Sequence, residues 1–182
     1  AGRATGYGRR QTEGADRASL SLPGEQDELI SAVTAANPNT VVVINAGSPV
    51  AMPWLVAAGA VLQAWYPGQE GGDSLADVLT GKAEPGGRLP TTFAHRVEEH
   101  PSHLTYPGEA GEVHYGEDIF VGYRAFDRTG ARPLFPFGHG LSYTTFAYEH
   151  LRLDREEVHD ADSVTVHLDV VNTGDRAGSD VV

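Results

Sequence analysis

Apolar residues recur every three or four positions in the stretch that follows Pro23. This spacing places them on one face of a helix and predicts a helix over residues 24–37. The residues that form the face are Leu29, Ile30, Val33 and Ala36. The first turn is acidic, which suits the helix dipole, and its acids are Glu25, Asp27 and Glu28.

Two short runs of continuous apolar residues, at 41–44 and 60–66, are typical of strands buried on both faces of a parallel sheet. The stretch between them, residues 49–58, is predicted to form a crossover helix. A Gly-rich loop follows the second run, and residues 73–80 have the apolar spacing of a further helix, with Gly81 as its C-terminal stop. This alternation predicts an α/β fold with helices on both faces of a mostly parallel sheet.

The pattern changes after this helix. Residues 89–93 and 119–126 are apolar enough to be predicted strands. Residues 94–118 between them are polar and rich in His, Pro and Gly, which predicts a loop too long to be a mere connection. Residues 133–143 are aromatic and Gly-rich, which predicts an irregular but packed segment.

Alternation of apolar and polar positions begins near residue 146 and is clear at Leu151 and Leu153. It resumes over residues 164–170, and Asn172-Thr173-Gly174 then forms a predicted turn. A period of two is that of a strand with one buried face. This part of the chain therefore predicts the first strands of a β-sandwich.

The charge balance excludes some classes of partner. The formal net charge is −12, with 25 acidic residues against 13 Lys plus Arg. Such a field repels polyanions, so we expect neither nucleic acid nor an anionic membrane as a partner, whereas a neutral sugar is compatible. No apolar run approaches the roughly 20 residues that span a bilayer. With no cysteine and no visible signal peptide, the sequence favours a cytoplasmic over a secreted location.

Both ends of the chain look cut. The first residue is Ala1, and the last, Val182, falls inside a predicted strand. Residues 1–11 contain three arginines and almost nothing apolar, so we expect an irregular or non-native lead.

Five sequence runs, in order along the chain, resemble signatures of glycoside hydrolase family 3. They are TEGADR at 12–17, WYPGQEGG at 65–72, PGGRLPTTF at 85–93, IFVGYR at 119–124 and PFGHGLSYT at 136–144. Residues 170–174 with Gly178 are also similar to the opening of that family's fibronectin-III-like domain. Five motifs in the right order make a chance resemblance an inadequate explanation.

The resemblance implies a domain organisation. Residues 12–145 would be the family's C-terminal α/β sandwich domain, incomplete at its N-terminal side, and residues 146–182 the truncated start of the fibronectin-III-like domain. The family's catalytic unit also contains a (β/α)₈ barrel that supplies an Asp nucleophile. That barrel would be a missing N-terminal neighbour in the same chain, so the nucleophile has no position in this sequence, and we expect the chain alone to be inactive.

The resemblance also implies a reaction. It is the retaining hydrolysis of terminal β-D-glucosides in oligosaccharides or glycosides, which uses two carboxyl groups about 5–5.5 Å apart. Glu13 matches the family's acid/base, and two carboxyl groups need no metal or organic cofactor. Three alternatives remain open: a β-xylosidase of the same family, a non-catalytic carbohydrate-binding or assembly module, and a nucleotide-binding α/β domain.

Glu70, Trp65 and Tyr66 are candidate substrate-binding residues. All three lie in or beside a Gly-rich loop at the carboxyl end of a predicted strand, where α/β sheets place ligands. Aromatic faces stack on sugars, but an aromatic residue at a strand end is more often part of the core. Glu70 has a similar alternative, in which the glycines serve the turn and the carboxylate holds the loop by hydrogen bonds.

Other chemistries fit the sequence less well. The Gly-rich loop lacks the Gly-Lys-Ser/Thr ending of a phosphate loop, and Glu70 would repel phosphate. Ser48 has no Gly-x-Ser-x-Gly elbow around it. His100 and His103 are separated by Pro101, which disfavours the helix that would align them on zinc.

Overall fold

The structure, a computed structural model, describes residues 19–181. Its elements are α1 (Gln26–Ala36), β1 (Val41–Ile44), β2 (Ala60–Gln63), α2 (Gly71–Leu79), α3 (Tyr123–Thr129), β3 (Phe146–Leu153) and β4 (Val166–Asn172). The described residues form two compact units. The first contains residues 19–72 and Leu89–His139, and the second contains Asp73–Arg88 and residues 140–181. Both units are therefore discontinuous in sequence, and the expected domain boundary at residue 146 stays a prediction.

The first predicted helix is confirmed as α1, but its buried side differs from the predicted apolar face. Leu29 is 62% exposed and Val33 43% exposed, whereas Ile30 packs against the core. The buried residue of the helix is Thr34, whose hydroxyl donates to the Ile30 carbonyl at 2.8 Å. A threonine that satisfies its hydroxyl within the helix can be buried at little cost, so the sequence pattern misjudged this face.

Strands β1 and β2 form a parallel pair in which Val41 lies opposite Ala60 and Ile44 opposite Gln63. The parallel pairing agrees with the predicted sheet, although the described residues contain only this one parallel pair. Burial in β1 alternates, with Val42 and Ile44 buried and Val41 45% exposed. The expectation of burial on both faces is therefore wrong for this strand as described.

The connection from β1 to β2 is not the predicted helix over residues 49–58. It contains one 3-10 turn, Leu55–Ala57. Pro53 lacks the backbone N–H that an α-helix begun at Pro49 would need there. The connection instead runs through the core, where Val50 is 0% exposed and Trp54 3% exposed.

Phe93 is the largest fully buried side chain among the described residues. Its ring makes edge-to-face contacts with Trp65, at 6.0 Å between centroids, and with Phe135, at 6.3 Å. These rings join the core of the first unit, whose buried members are Val42, Ile44, Val50, Met52, Trp54 and Phe93.

The predicted strand at 89–93 is reduced to one antiparallel bridge between Phe93 and Phe135. The two residues exchange backbone hydrogen bonds of 2.8 and 3.1 Å. Farther along, the Leu89 N–H donates to the His139 carbonyl and the Gly138 N–H to the Leu89 carbonyl, both at 2.8 Å, but these bonds do not extend the bridge into a strand. The long loop over 94–118 is confirmed, with one 3-10 turn at Val97–Glu99.

The predicted strand at 119–126 is wrong, because the chain forms helix α3 from Tyr123. Gly122 and Gly130 flank this helix with φ of +54° and +68°, the second in the left-handed conformation that ends helices. Phe126 is the buried residue of the helix. Ile119, which precedes the helix, is more than half exposed. The β-branched side chain of Ile119 therefore did not decide the local structure.

The second unit contains an antiparallel pair, β3 and β4, with Phe146 opposite Asn172 and Leu153 opposite Val166. The register shifts between Glu149 and Arg152. Strand formation from residue 146 is thus confirmed. The predicted helix before Gly81 is also confirmed as α2, and Gly81 has a φ of +75°. Across residues 19–181 we find no helix with the length and apolarity needed to cross a bilayer.

Candidate functional site in the first unit

The carboxyl ends of β1 and β2 are held together by hydrogen bonds. The Gln63 Nε2 group donates to the Ala46 carbonyl at 3.0 Å, and the Ala64 N–H donates to the Ile44 carbonyl at 2.8 Å. The loops that leave these two strands therefore lie at one edge of the sheet. This edge is where parallel sheets present ligand-binding side chains.

Trp65 and Tyr66 have different environments although they are adjacent. Trp65 is half-buried against Phe93 and has a φ of +52°. Tyr66 is 68% exposed, and its ring lies so close to Gly47 that a Cβ there would come within 2.3 Å of Cε2. The contact of Trp65 with Phe93 agrees with the alternative in which an aromatic residue at a strand end belongs to the core. The Tyr66 ring is the one that solvent reaches.

Glu70 is exposed in the loop between β2 and α2, and its Oε1 accepts a hydrogen bond from Gln69 Nε2 at 3.2 Å. The glycines around it serve the turn. Gly68 has a φ of +74°, and a Cβ at Gly71 would lie 2.7 Å from the Pro67 ring. The binding roles of Glu70, Trp65 and Tyr66 stay predictions.

Glu13 lies outside the described residues. The described chain begins at Ser19, and the stretch of residues 19–23 is fastened to the core of the first unit. The Leu20 carbonyl accepts the Ala51 N–H at 2.8 Å, and Leu22 packs against the core cluster.

Asp27 completes this attachment. Its Oδ2 accepts the Leu22 N–H at 3.3 Å, and its Oδ1 accepts the Trp54 indole N–H at 2.7 Å. Sequence reasoning assigned Asp27 only to the helix dipole and so missed this bridge. The acidic first turn was the available signal, since an acid there can bond back to an N–H group before the helix, but nothing local marks Leu22 or Trp54 as the donor.

Two open cavities flank the stretch of residues 19–23, with volumes of about 350 and 200 Å³. Ser21 and Ala51 line both. His95 lines the larger and Arg96 the smaller. Glu99 holds these two residues in place, because its carboxylate accepts the His95 N–H at 3.0 Å and pairs with the Arg96 guanidinium at 3.3 Å.

Among residues 19–181 no cluster of three potential metal ligands is present. Burial lowers the pKa of His100, and the nearby His103 adds to this effect while Glu99 opposes it. A histidine with a lowered pKa stays neutral near pH 7.

The second unit contains two carboxylates with perturbed pKa values. A hydrogen bond from the Ser142 hydroxyl lowers the pKa of Glu84, and the Tyr143 N–H adds a second bond at 2.8 Å. A hydrogen bond from Tyr148 lowers the pKa of Asp180, which also pairs with Arg88 at 2.6 Å. Glu84 and Arg88 bracket the Pro85-Gly86-Gly87 turn, so these contacts fix that turn within the unit.

The chain is similar to known β-glucosidases over almost its whole length. A β-glucosidase from Rhizobium radiobacter is 53% identical over 180 residues, which is 96% of this chain and 22% of that protein. DesR, a β-glucosidase from Streptomyces venezuelae solved in complex with D-glucose, is 48% identical with a TM-score of 0.85, over 92% of this chain and 21% of that one. A β-glucosidase from Kluyveromyces marxianus solved with glucose is 46% identical with a TM-score of 0.83, over 91% of this chain and 20% of that one.

The chain spans about a fifth of the length of the curated relatives that it matches. The family model described as the glycosyl hydrolase family 3 C-terminal domain matches residues 3–143, which include the acidic TEGADR run and the loop around Glu70. The chain therefore belongs to glycosyl hydrolase family 3, as its C-terminal domain.

Proposed function

We propose that this chain supplies the acid/base carboxyl of a retaining β-glycosidase that releases terminal β-linked glucose, with Glu13 as that carboxyl. The observation that carries the proposal is the 53% identity to a β-glucosidase across 96% of the chain. The D-glucose bound to DesR adds support for the sugar, because DesR is 48% identical to this chain.

The proposed reaction divides the work between two domains. A carboxylate from an N-terminal (β/α)₈ barrel attacks the anomeric carbon, while Glu13 gives its proton to the departing glycosidic oxygen. Water then attacks the glycosyl-enzyme, Glu13 takes a proton from that water, and the barrel carboxylate leaves with its electron pair. This chemistry needs no metal or organic cofactor. Because the barrel provides the nucleophile, residues 1–182 alone should not hydrolyse β-glucosides.

Tyr66 and Glu70 are proposed to contact the sugar substrate. The Tyr66 ring is 68% exposed at the carboxyl edge of the β1–β2 pair, and stacking on a sugar requires such an accessible aromatic face. Glu70 is exposed in the loop that follows, where its carboxylate can accept hydrogen bonds from sugar hydroxyls. Trp65 has an indirect part, since its packing on Phe93 fixes the backbone that presents Tyr66.

For the domain organisation we keep the sequence expectation as a proposal. Residues 12–145 form the α/β sandwich domain, and residues 146–182 begin a fibronectin-III-like domain. The antiparallel pairing of β3 with β4 supports the second assignment, because such sandwiches are built from antiparallel strands.

The decisive experiment is Glu13→Gln in the full-length protein. Hydrolysis is measured with alkyl and aryl β-glucosides whose leaving groups differ in pKa. Protonation by an acid contributes about 10²–10⁴-fold, so kcat/KM should fall in that range for a poor leaving group such as an alkyl alcohol. It should fall far less for 2,4-dinitrophenolate, which departs without a proton.

The matched control is Glu28→Gln, which neutralises an exposed acid in the first turn of α1. That variant should keep wild-type kinetics. Unchanged turnover in Glu13→Gln would reject the acid/base proposal and favour a non-catalytic carbohydrate-binding module. Substrates with xylose in place of glucose, run on the same protein, decide between a β-glucosidase and a β-xylosidase.

A further inference from the structure

We propose that residues 102–121 form a docking loop that holds this domain against the N-terminal (β/α)₈ barrel of the full-length protein. The inference rests on the proposed function, in which the barrel supplies the nucleophile. It concerns a segment that the proposed reaction does not use. The docking loop covers most of the long loop after the 3-10 turn Val97–Glu99 and the start of the IFVGYR run.

The docking loop leaves several large apolar side chains in contact with water. Leu104 is 93% exposed and Tyr115 is 82% exposed. Val113, Ile119 and Val121 are each about half exposed. Single exposed apolar residues are normal on a protein surface, but a concentration of them in one segment is typical of an interaction site. The loop is also longer than a connection requires, and long structured loops are often functional.

Backbone hydrogen bonds fold the docking loop, so the exposure does not result from an irregular chain. Glu109 and Glu112 exchange backbone bonds of 3.0 and 2.9 Å around a tight turn. A Cβ at Gly108 would lie 2.3 Å from the Glu112 carbonyl oxygen, so the turn needs glycine there. Farther along, the Phe120 N–H donates to the Glu117 carbonyl at 2.9 Å. A preformed loop loses little conformational entropy when it meets a partner.

Helix α3 supports the C-terminal end of the docking loop. Phe126 is the buried residue of this helix, and the Arg128 guanidinium lies 4.0 Å from the centre of the Phe120 ring. Phe120 is therefore held against the helix, while its neighbours Ile119 and Val121 stay exposed. The apolar side chains of the loop are thus presented on a supported backbone, which a contact that fixes two domains requires.

The division of the proposed reaction between two domains favours the barrel as the partner. Retaining hydrolysis needs its two carboxyl groups about 5–5.5 Å apart, so the domains that supply them must keep a fixed relation. Domains without a substantial apolar contact move relative to one another. About four-fifths of each curated relative lies outside the part that this chain matches, which is ample chain to cover the loop.

The charge of the docking loop disfavours a second copy of this chain as the partner. Residues 102–121 contain four acidic residues and no Lys or Arg. A two-fold interface built on this loop would bring the same acids of two copies together, and like charges that face each other weaken an interface. The barrel surface that covers the loop should therefore be apolar and edged by Lys or Arg.

The first experiment measures whether the loop is covered in the full-length protein. Residues 1–182 contain no cysteine. Leu104→Cys and Tyr115→Cys each introduce a thiol, and mass spectrometry of the maleimide-labelled peptide follows its reaction. Val56→Cys is the matched control, because Val56 is 97% exposed in the first unit and lies outside the docking loop. Relative to the rate in the urea-unfolded protein, labelling at 104 and 115 should be at least about 10-fold slower than at 56.

The second experiment identifies the partner. Tyr115 is replaced by the photo-crosslinking residue benzoylphenylalanine in the full-length protein, and the cross-linked peptides are sequenced by mass spectrometry. We expect cross-links within one chain, to peptides of the N-terminal barrel. Cross-links that join two copies, recovered as a covalent dimer, would overturn the barrel as the partner in favour of a second copy.

The outcomes distinguish this inference from the function on which it rests, because neither experiment depends on activity. Slow labelling at 104 and 115 with cross-links to the barrel supports docking, even where Glu13→Gln leaves turnover unchanged and the acid/base proposal fails. Labelling at 104 and 115 as fast as at 56 overturns docking. A leaving-group-dependent loss in Glu13→Gln would then still support the acid/base proposal.

Discussion

The ring of Tyr66 occupies the space that a side chain on Gly47 would need. A Cβ at residue 47 would lie 2.3 Å from Cε2 and 2.5 Å from the phenolic oxygen of Tyr66. Gly47 lies in the loop after β1, and Tyr66 lies in the loop after β2, the neighbouring parallel strand. The contact therefore sets the position of an exposed aromatic ring at the carboxyl edge of the sheet. Gly47 is needed here for close approach.

The first prediction concerns this contact. Gly47→Ala in the full-length protein should displace the Tyr66 ring and raise KM for β-glucosides as much as Tyr66→Ala does. Tm should change little, because an exposed ring can move aside. The double variant should be no worse than either single variant, since the two residues act through one contact.

Steady-state kinetics and thermal unfolding test this prediction, with Gly72→Ala as the control. A Cβ at Gly72 meets nothing within 4 Å. Additive effects in the double variant would contradict the proposed link between the two residues.

The second prediction concerns the aromatic core. Phe93→Ala should lower the free energy of unfolding by about 3–5 kcal/mol, because it removes a fully buried ring and its contacts with Trp65 and Phe135. Phe137→Ala is the matched control, since that ring is 54% exposed and lies 5.4 Å from the Tyr123 ring in a tilted arrangement. It should lose no more than about 1 kcal/mol. Chemical denaturation measures the free energy of unfolding of both variants. Equal losses in the two would contradict the larger contribution of Phe93 to the core.

The third prediction compares two ion pairs of the second unit. Arg88 and Asp180 pair at 2.6 Å with side chains only 14% and 9% exposed, whereas Lys82 and Asp77 pair at 2.9 Å with side chains 75% and 36% exposed. Arg88→Met should lower Tm several times more than Lys82→Met, because it leaves the largely buried carboxylate of Asp180 without its cation. Similar shifts in the two variants, followed by circular dichroism, would show that the Arg88 pair is as weak as a surface pair.

The fourth prediction is a pH dependence from Glu84. The pKa of this carboxyl is lowered from its ordinary value of 4.5, mainly by the hydrogen bond from Ser142. A carboxyl with a lowered pKa in the folded state stabilises the fold fully above about pH 4.5 and loses that contribution as pH falls through the folded-state pKa. Glu84→Gln should therefore be less stable than wild type near pH 7, and the difference should shrink below pH 4.5.

Denaturant unfolding at a series of pH values measures this difference, and Glu156→Gln serves as the exposed control. Because Glu156 is exposed, the control should differ little from wild type in its free energy of unfolding at pH 7. A Glu84→Gln difference that stays constant from pH 7 to pH 3 would refute the stabilising role of the ionised carboxyl.

Local sequence signals determined much of the secondary structure. The helices α1 and α2 and the strand formation from residue 146 follow from periodicity, and the strand β1 follows from a short continuous apolar run; Pro, Gly or Asn bounds these segments. These features depend on neighbours within a turn or two, so the sequence alone contains their cause. The ordered motifs likewise identified the family without reference to the fold.

Tertiary structure decided the remaining features because they depend on residues far apart in the chain. The run that begins at Ile119 was predicted to be a strand, yet Phe126 finds its burial site only as part of α3. Trp65 and Tyr66 are neighbours in sequence, and only the positions of Phe93 and Gly47 make one a core residue and the other a surface ring. The Asp27 bridge to Trp54 joins residues 27 positions apart, and no local pattern specifies which buried N–H a carboxylate will meet.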